Sequence, residues 1–219
     1  MACPVVLHSF WKSTCSWRVR TALAWKRIPY EYRGVNIRAN ENKAAAYTNL
    51  NPNQKVPSLY IDGHLLTQSS AILAYLEETR PDPPLLPSDP IQRAHVRSFC
   101  DIIGADIQPI QNLAVLREIA RDAKDKDAVS KAWASKWITR GFDALETRLK
   151  ASSGKFCFGD AITLADVYLV PQVNNAIVFG VDMDAYPYIQ RINETLLAED
   201  AFRKSHPSQM PDCPPALSG

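Results

Sequence analysis

The stretch 5–26 constrains the fold more than any other part of the sequence, because a cluster of hydroxyl residues joins a strand pattern to a helix pattern. The apolar run Val5-Val6-Leu7 is long enough for a buried strand. Further along, apolar side chains recur at helical spacing at Val19, Ala22 and Leu23. The join contains Ser13, Thr14 and Ser16, residue types that are preferred at helix N-caps. The sequence therefore predicts a strand, a short turn and a helix N-terminus, in that order.

A helix N-terminus at this join has consequences for chemistry. Its unpaired N–H groups and its dipole favour an anion, and a thiolate is an anion. Arg18 and Arg20 add positive charge nearby, so a thiol held here is expected to have a lowered pKa and to be more nucleophilic. The thiol could belong to Cys15 or to a bound cofactor, and the residues alone also suit an ordinary capped helix. No Cys-x-x-Cys motif includes Cys15, which argues against a dithiol redox role.

The rest of the first 82 residues is typical of a small α/β domain. Residues 30–35 are predicted as a second strand, and the polar, Ala-rich residues 40–50 as a short helix or a loose connection. Asp62-Gly63 between two apolar runs predicts a hairpin with a type I′ turn. A helix is then predicted over Ala71–Glu78. The resulting order β-α-β-(α)-β-β-α indicates a domain with a mixed sheet.

The composition changes after a Pro-rich linker at 83–90, which is too stiff to continue a helix. Helical apolar periodicity without a convincing strand predicts an all-helical domain over 91–219. Its predicted helices are 91–116, 128–150 and 164–178, followed from Ser205 by an extended Pro-rich tail. Pro109 inside the first of them is expected to produce a kink, because it cannot donate to the carbonyl of Ala105.

Two local patterns, at residues 163–166 and at Val56-Pro57, make predictions about the backbone that a structure can test. Thr163-Leu164-Ala165-Asp166 resembles a capping box with Asp in the third position, and capping accounts for it without a ligand role. Val56-Pro57 precedes a predicted strand, and most X-Pro bonds are trans. A cis bond there would instead turn the backbone groups of Val56 out of the sheet, where they could pair with an extended peptide.

The charge balance and the spacing of special residues exclude several classes of protein. Lys plus Arg number 25 against 23 for Asp plus Glu, which argues against a nucleic-acid or membrane-surface partner. The five Cys are odd in number and scattered, and the first residues lack a secretion signal, so we expect reduced thiols and a cytoplasmic location. The four His have no metal-ligand spacing, and no metal is expected.

Together these motifs resemble cytosolic glutathione transferases of the zeta class, and the resemblance extends over essentially the whole chain. Ser-Thr-Cys-Ser-Trp-Arg-Val-Arg at 13–20 differs from the zeta-class signature only at Thr14. The same class is indicated by residues 107–113 and by the ending His-Pro-x-x-x-Pro-Asp at 206–212. The resemblance implies a thioredoxin-like glutathione-binding domain over 1–82, a linker at 83–90, a helical substrate domain over 91–219, and a homodimer.

The resemblance also implies roles for particular residues. Ser13 would stabilise the glutathione thiolate, with Thr14 and Cys15 as the other members of the catalytic set. Val56 would pair with the cysteinyl backbone of glutathione, and Asn42 stands where the family usually has Gln. The implied glutathione-binding set is Ser13, Thr14, Cys15, Ser16, Trp17, Arg18, Asn42, Val56, Gln68, Ser69, Gln108 and Asn112. The implied substrate-binding residues are Lys12 and Gln108.

The implied reaction is the glutathione-dependent cis–trans isomerisation of maleylacetoacetate to fumarylacetoacetate, in phenylalanine and tyrosine breakdown. A thiolate adds to the double bond, the bond rotates, and elimination restores the double bond in the trans form. Glutathione transferase activity is expected beside it. The negative charge formed on addition would be met by Lys12, by Gln108 and by the helix terminus.

Two departures from the family pattern leave alternatives open. The family commonly has Arg at two substrate-facing positions, which are Lys12 and Val178 in this sequence. Each change removes the fork that binds a carboxylate through two hydrogen bonds. The alternative is a zeta-class transferase that conjugates or dehalogenates small haloacids and other electrophiles. A glutathione-binding protein without its own chemistry is a third possibility.

Overall fold

A computed structural model describes residues 4–217, and Cys3 therefore lies outside the described part. By the proximity of their Cα atoms, these residues form two units, 4–84 together with 199–217, and 85–198. The predicted division assigned the whole of 91–219 to the second domain. The last residues belong instead with the first unit, because Asp200–Ser205 packs against the helix Thr14–Trp25.

The first unit contains a four-stranded mixed sheet with the strand order β2-β1-β3-β4. Its strands are β1 Val6–Ser9, β2 Glu31–Gly34, β3 Ser58–Ile61 and β4 His64–Thr67. Strand β1 is parallel to β2 and antiparallel to β3, which pairs antiparallel with β4. The hairpin between β3 and β4 confirms the predicted turn, since Asp62 and Gly63 both have positive φ, 53° and 82°.

The helices of the first unit follow the predicted order. They are α1 Thr14–Trp25, the four-residue α2 Ala45–Thr48, and α3 Ser69–Thr79, with a 3₁₀ turn at Glu41–Lys43. Helix α1 packs directly against α3 and against α9 Asp200–Ser205. The fold is that of a thioredoxin-like domain.

The second unit is helical, as predicted. Its helices are α4 Pro90–Asp101, α5 Leu113–Ile119, α6 Lys126–Ser152, α7 Leu164–Val178 and α8 Pro187–Leu197. The capping box is confirmed, because the buried carboxylate of Asp166 accepts from the N–H of Thr163 at 2.7 Å, and also from the N–H of Cys157 at 2.9 Å.

The prediction of one kinked helix over 91–116 was wrong. α-Helical hydrogen bonding ends at Asp101, a π-helix continues over Ile102–Ile107, and a non-helical turn leads to Leu113. In the π-helix the N–H of Gln108 donates to the carbonyl of Ile103 at 2.9 Å. Pro109 has no N–H to continue this pattern, so the chain leaves the helix here rather than bending within it.

The prediction of an extended surface tail from Ser205 was also wrong. Helix α9 is followed by 3₁₀ turns at Pro207–Gln209 and Pro215–Leu217. Buried side chains occur along the segment at Ser205, Pro207, Met210 and Cys213. The tail is therefore part of the first unit's structure. No helix within residues 4–217 is long and apolar enough to cross a membrane.

Candidate active site

Ser13 lies at the N-cap of α1, as the sequence predicted. Its Oγ accepts a hydrogen bond from the N–H of Ser16 at 3.2 Å, and its own N–H donates to the carbonyl of Phe10 at 2.9 Å. A hydroxyl oxygen that accepts a bond keeps its proton, and that proton has no acceptor among the described residues. Ser13 is half-buried, so its O–H can donate to a group that binds beside the helix start.

The residues after Ser13 differ in how far they are exposed. Cys15 is half-buried and is a free thiol, whereas Thr14 is 5% exposed and Ser16 is fully buried. Trp17 and Arg18 are each 2% exposed, so both belong to the interior of the unit. The Oγ of Ser16 is buried and has no hydrogen-bond partner among the described residues. The first turn of α1 therefore presents the Ser13 and Cys15 side chains toward the outside.

The basic side chains Arg20 and Lys12, near this turn, have different environments. Arg20 is fully buried, and its guanidinium donates to the carbonyls of Phe10 and Trp11 rather than facing solvent. Burial lowers the pKa of Arg20 to about 10, so the group stays charged at neutral pH. Partial burial, and then the charge of Arg38, lower the pKa of Lys12. Arg20 therefore supports the turn from inside, while Lys12 is an accessible cation beside it.

The peptide bond between Val56 and Pro57 is cis. Neither backbone group of Val56 bonds to another backbone or side-chain group within residues 4–217. The preceding carbonyl, that of Lys55, accepts from the Tyr47 hydroxyl at 2.7 Å and from the Asn51 amide at 2.8 Å. These bonds hold the loop, so the N–H and C=O of Val56 are fixed and available to an extended peptide.

Gln68 and Ser69 lie at the N-terminus of α3. Gln68 has φ 67° and ψ 119°, and its side chain makes no capping bond. Its carbonyl accepts the N–H of Ile72 at 3.0 Å, and Ser69 begins the helix with its side chain largely buried. A helix start with unused N–H groups and no acidic residue in its first turn is suited to a carboxylate.

The register of the sheet brings three segments to one edge, namely the turn that leads to Ser13, residues 56–57 and residues 68–69. His8 in β1 is opposite Ser58 in β3, and Ser58 is opposite Thr67 in β4. The C-terminal end of β1, which leads to Ser13, therefore adjoins the start of β3 and the end of β4. Residues 56–57 and 68–69 are the chain neighbours of those last two positions, so these two segments lie near the end of β1 that leads to Ser13.

Asn42 is tied to the same unit by its amide. The Nδ2 group donates to the carbonyl of Gln54 at 2.7 Å, while Oδ1 is buried and has no partner among the described residues. A buried oxygen without a donor is costly, and a ligand or water N–H or O–H would satisfy it. Asn42 therefore presents an acceptor, and one of the two N–H donors of its amide is already used.

The predicted residues of the second unit lie around the turn that follows the π-helix. Gln108 is half-buried there, and Asn112 is the N-cap of α5, with Oδ1 accepting the N–H of Ala114 at 3.1 Å. Sequence reasoning missed the role of their neighbour Gln111, whose amide bonds Gln172 at 3.3 Å and Asn175 at 3.2 Å. The partners are more than sixty residues away, so no local signal could have identified them.

No group of three His, Cys, Asp or Glu side chains among residues 4–217 is arranged to hold a metal ion. The donors gathered at the sheet edge are hydroxyl, amide and backbone groups, together with two helix N-termini. Such a set binds a peptide-like anion by hydrogen bonds.

Comparison with known proteins identifies the class that has this fold and site. The Glutathione S-transferase N-terminal domain matches residues 12–79, and the Glutathione S-transferase C-terminal domain matches residues 127–192. The crystallised Maleyl Pyruvate Isomerase described as a bacterial glutathione-S-transferase in Zeta class is 42% identical, with a TM-score of 0.93 over 95% of this chain and all of that chain. The chain therefore belongs to the glutathione transferase family, in its zeta class.

The relatives within this class have specific names. The maleylacetoacetate isomerase of Rattus norvegicus is 49% identical over 214 residues, which cover 97% of this chain and 96% of the relative. The maleylacetoacetate isomerase structure from Anaeromyxobacter dehalogenans, solved with bound GSH in its active site, is 44% identical. It has a TM-score of 0.88 and covers 96% of this chain and 98% of that chain.

Proposed function

We propose that this chain is an enzyme that uses glutathione to isomerise maleylacetoacetate to fumarylacetoacetate, in phenylalanine and tyrosine breakdown. The observation that carries the proposal is the Ser13 hydroxyl, which caps α1 and keeps a proton to donate. Its support comes from relatives named maleylacetoacetate isomerase that match nearly the full length of the chain. Maleylpyruvate isomerase relatives point to the same substrate class, an unsaturated keto acid with a cis double bond.

The residues of the first unit fit glutathione. We assign the γ-glutamyl carboxylate to the start of α3 at Gln68 and Ser69, because that end offers unpaired N–H groups. The available N–H and C=O of Val56 match the two backbone groups of a cysteinyl residue. Asn42 would contact the glycyl end, where its unpartnered Oδ1 would accept a hydrogen bond from a donor. The sulfur would then lie beside Ser13.

Bound glutathione supplies a thiolate that adds to the cis double bond, permits its rotation and leaves again. Ser13 would donate its O–H to the sulfur, and the first N–H groups of α1 would stabilise the negative charge. Thr14, Ser16, Trp17 and Arg18 would hold this turn in shape from the interior. Cys15, half-buried and free, would line the site beside the reacting sulfur.

Lys12 is proposed as the group that attracts the acidic substrate. Its ammonium group is accessible beside the turn, and Arg38 adds to the local positive charge.

The resemblance supports further contacts from Gln108, to both the substrate and glutathione, and from Asn112, to glutathione. It also supports a homodimer located in the cytoplasm.

A second function is favoured by Val178, at the C-terminal end of α7. Val178 stands where the family commonly has Arg. It is 49% exposed, and its neighbour Ile177 is 60% exposed. A neutral side chain there weakens binding of a second carboxylate and suits small haloacids or other electrophiles. Conjugation or dehalogenation by the glutathione thiolate is therefore the alternative activity.

A paired assay on the purified protein distinguishes these activities. Maleylacetone should be converted to its trans isomer with glutathione returned unchanged. Val178→Arg should raise kcat/KM for isomerisation by about tenfold or more, because one charge-assisted contact is restored. Consumption of glutathione with a haloacid and no isomerisation would establish the alternative, and no turnover by protein that binds glutathione would reject both.

A further inference from the structure

The turn that leads into Ser13 is held by two charged side chains that lie outside it. The carbonyl of Phe10 accepts from the N–H of Ser13 at 2.9 Å and from Nη1 of Arg20 at 3.3 Å. The carbonyl of Trp11 accepts from Nη2 of Arg20 at 3.0 Å, and the N–H of Trp11 donates to Oδ2 of Asp212 at 3.1 Å. Arg20 thus holds the carbonyls of this turn and Asp212 holds its N–H.

Asp212 reaches this turn from the other end of the chain, 201 residues away. Its second carboxylate oxygen accepts from the hydroxyl of Tyr32 at 2.6 Å, and its Cβ lies beside Gly34, which pairs with Ser9. Burial, and then the bond to Asp212, raise the pKa of Tyr32, so the phenol stays protonated and keeps donating. Both carboxylate oxygens are therefore used, and the carboxylate has a fixed position.

The segment that carries Asp212 is itself anchored to α1. Nε of Arg20 donates to the carbonyl of Ser205 at 3.1 Å, and Nε1 of Trp17 donates to the Ser205 hydroxyl at 3.2 Å. The rings of His206 and Trp17 meet edge to face, with centroids 5.1 Å apart. Because these contacts do not involve Asp212, loss of its carboxylate leaves the segment attached. Only the hydrogen bonds from the N–H of Trp11 and from the hydroxyl of Tyr32 are lost.

We propose that Asp212 is a positioning residue of the active site, which acts through the N–H of Trp11 to set the Ser13 hydroxyl and the first N–H groups of α1. This inference rests on the proposed role of Ser13 toward the glutathione thiolate. A charge-assisted bond to a backbone N–H is stronger than a neutral one, so a carboxylate is suited to fix a turn that precedes a reacting group. Small displacements at such a group lower the rate strongly.

The test compares D212A, D212N and Y32F in the full-length protein. D212A should lower kcat/KM by about tenfold and move the pH profile of kcat/KM to higher pH, because the thiolate loses stabilisation. D212N keeps an oxygen acceptor without the charge and should give a smaller shift in the same direction. Y32F removes the other partner of the carboxylate but leaves the bond to Trp11, so its pH profile should match wild type.

Several outcomes overturn the inference. One is a wild-type pH profile in D212A together with a lower melting temperature, which would mean a merely structural role. Another is an equal shift in Y32F. If D212A does not fold, a wild-type profile in D212N overturns the inference and an intermediate shift supports it. Ser13→Ala is measured in parallel: if that variant keeps the wild-type profile, the thiolate assignment fails, whereas a shift in Ser13→Ala alone removes only the role of Asp212.

Discussion

The ammonium group of Lys26 lies 2.9 Å from the carboxylate of Glu77, and both side chains are buried, with 0% and 7% exposed. The same ammonium donates to the carbonyls of Arg80 at 2.6 Å and Pro83 at 3.0 Å. Lys26 is the C-cap of α1, Glu77 lies in α3, and the two carbonyls belong to the segment where the chain leaves the first unit. One side chain therefore joins two helices to that exit.

Lys26→Met should destabilise the protein by about 3–5 kcal/mol, because it takes the ammonium group of Lys26 away from the buried Glu77 carboxylate. Urea unfolding at neutral pH measures the change. Adding Glu77→Leu removes the carboxylate that lost this ion pair, so the double variant should lose less free energy of unfolding than the two single losses added together. A strictly additive double variant would contradict the coupling. Arg203→Met, at an exposed ion pair with Asp200, is the control and should change the free energy of unfolding far less, because water screens that pair.

Ser13→Ala should separate catalysis from folding. Loss of the O–H removes one hydrogen bond to a charged sulfur, so kcat/KM should fall by about ten- to a hundredfold. Loss of the cap for Ser16 should lower the free energy of unfolding by about 0.5–2 kcal/mol. Ser13→Thr, which keeps both functions of the hydroxyl, is the matched control. Steady-state rates with glutathione and urea unfolding measure the two effects, and unchanged rates in Ser13→Ala would contradict the role assigned to Ser13.

The sequence predicted the elements whose determinants are close together in the chain. Asp62-Gly63 specifies its turn by backbone conformation, and Thr163 with Asp166 forms a cap within one helical turn, so both were found. Arg20 was expected to add positive charge near the helix start, but its burial was not predicted, because its acceptors are at residues 9–11 and at Ser205. The contact of Asp212 with Trp11 was missed for the same reason: no local pattern records a partner 201 residues away.

The π-helix illustrates a second limit, since its last residue is closely packed against a distant helix. A Cβ at Gly141 in α6 would lie 2.2 Å from Cδ1 and 2.4 Å from Cγ1 of Ile107, the last π-helical residue. The small residue in α6 therefore makes room for this part of the chain. Apolar periodicity over 91–116 contains no information about that close approach.

Gly141→Ala should accordingly destabilise the protein, although Gly→Ala inside a helix ordinarily stabilises it by about 1 kcal/mol. The clash with Ile107 should cost about 1–3 kcal/mol net. Ile107→Ala alone should cost about 2–5 kcal/mol through the cavity it leaves. In the double variant the new methyl group occupies part of that cavity. The double variant should therefore lose less free energy of unfolding than the two single variants added together. Urea unfolding of the three variants measures this, and a stabilised Gly141→Ala would show that the close packing is wrong.

His206 gives the first unit a stability that depends on pH. Burial, and then the charge of Arg20, lower the pKa of His206 below its ordinary value of 6.5. The neutral ring accepts the N–H of Ser208 at Nδ1 at 3.2 Å, which a protonated ring could not do. Because the unfolded chain takes up a proton that the folded protein resists, this contribution is complete above the unfolded pKa and is lost as pH falls through the folded pKa.

The free energy of unfolding should therefore decline as pH falls from about 7 to about 5, and His206→Asn should reduce that slope. Asn keeps an oxygen acceptor for the N–H of Ser208 and does not titrate. A change of slope in this variant therefore reports protonation of the imidazole and not loss of the hydrogen bond to Ser208. The pKa of His8 is also lowered, by burial and then by Arg33, so His8→Asn should remove a separate part of the slope. Urea unfolding at a series of pH values measures both. If His206→Asn follows the wild-type pH dependence at every point, the imidazole of His206 does not carry this effect.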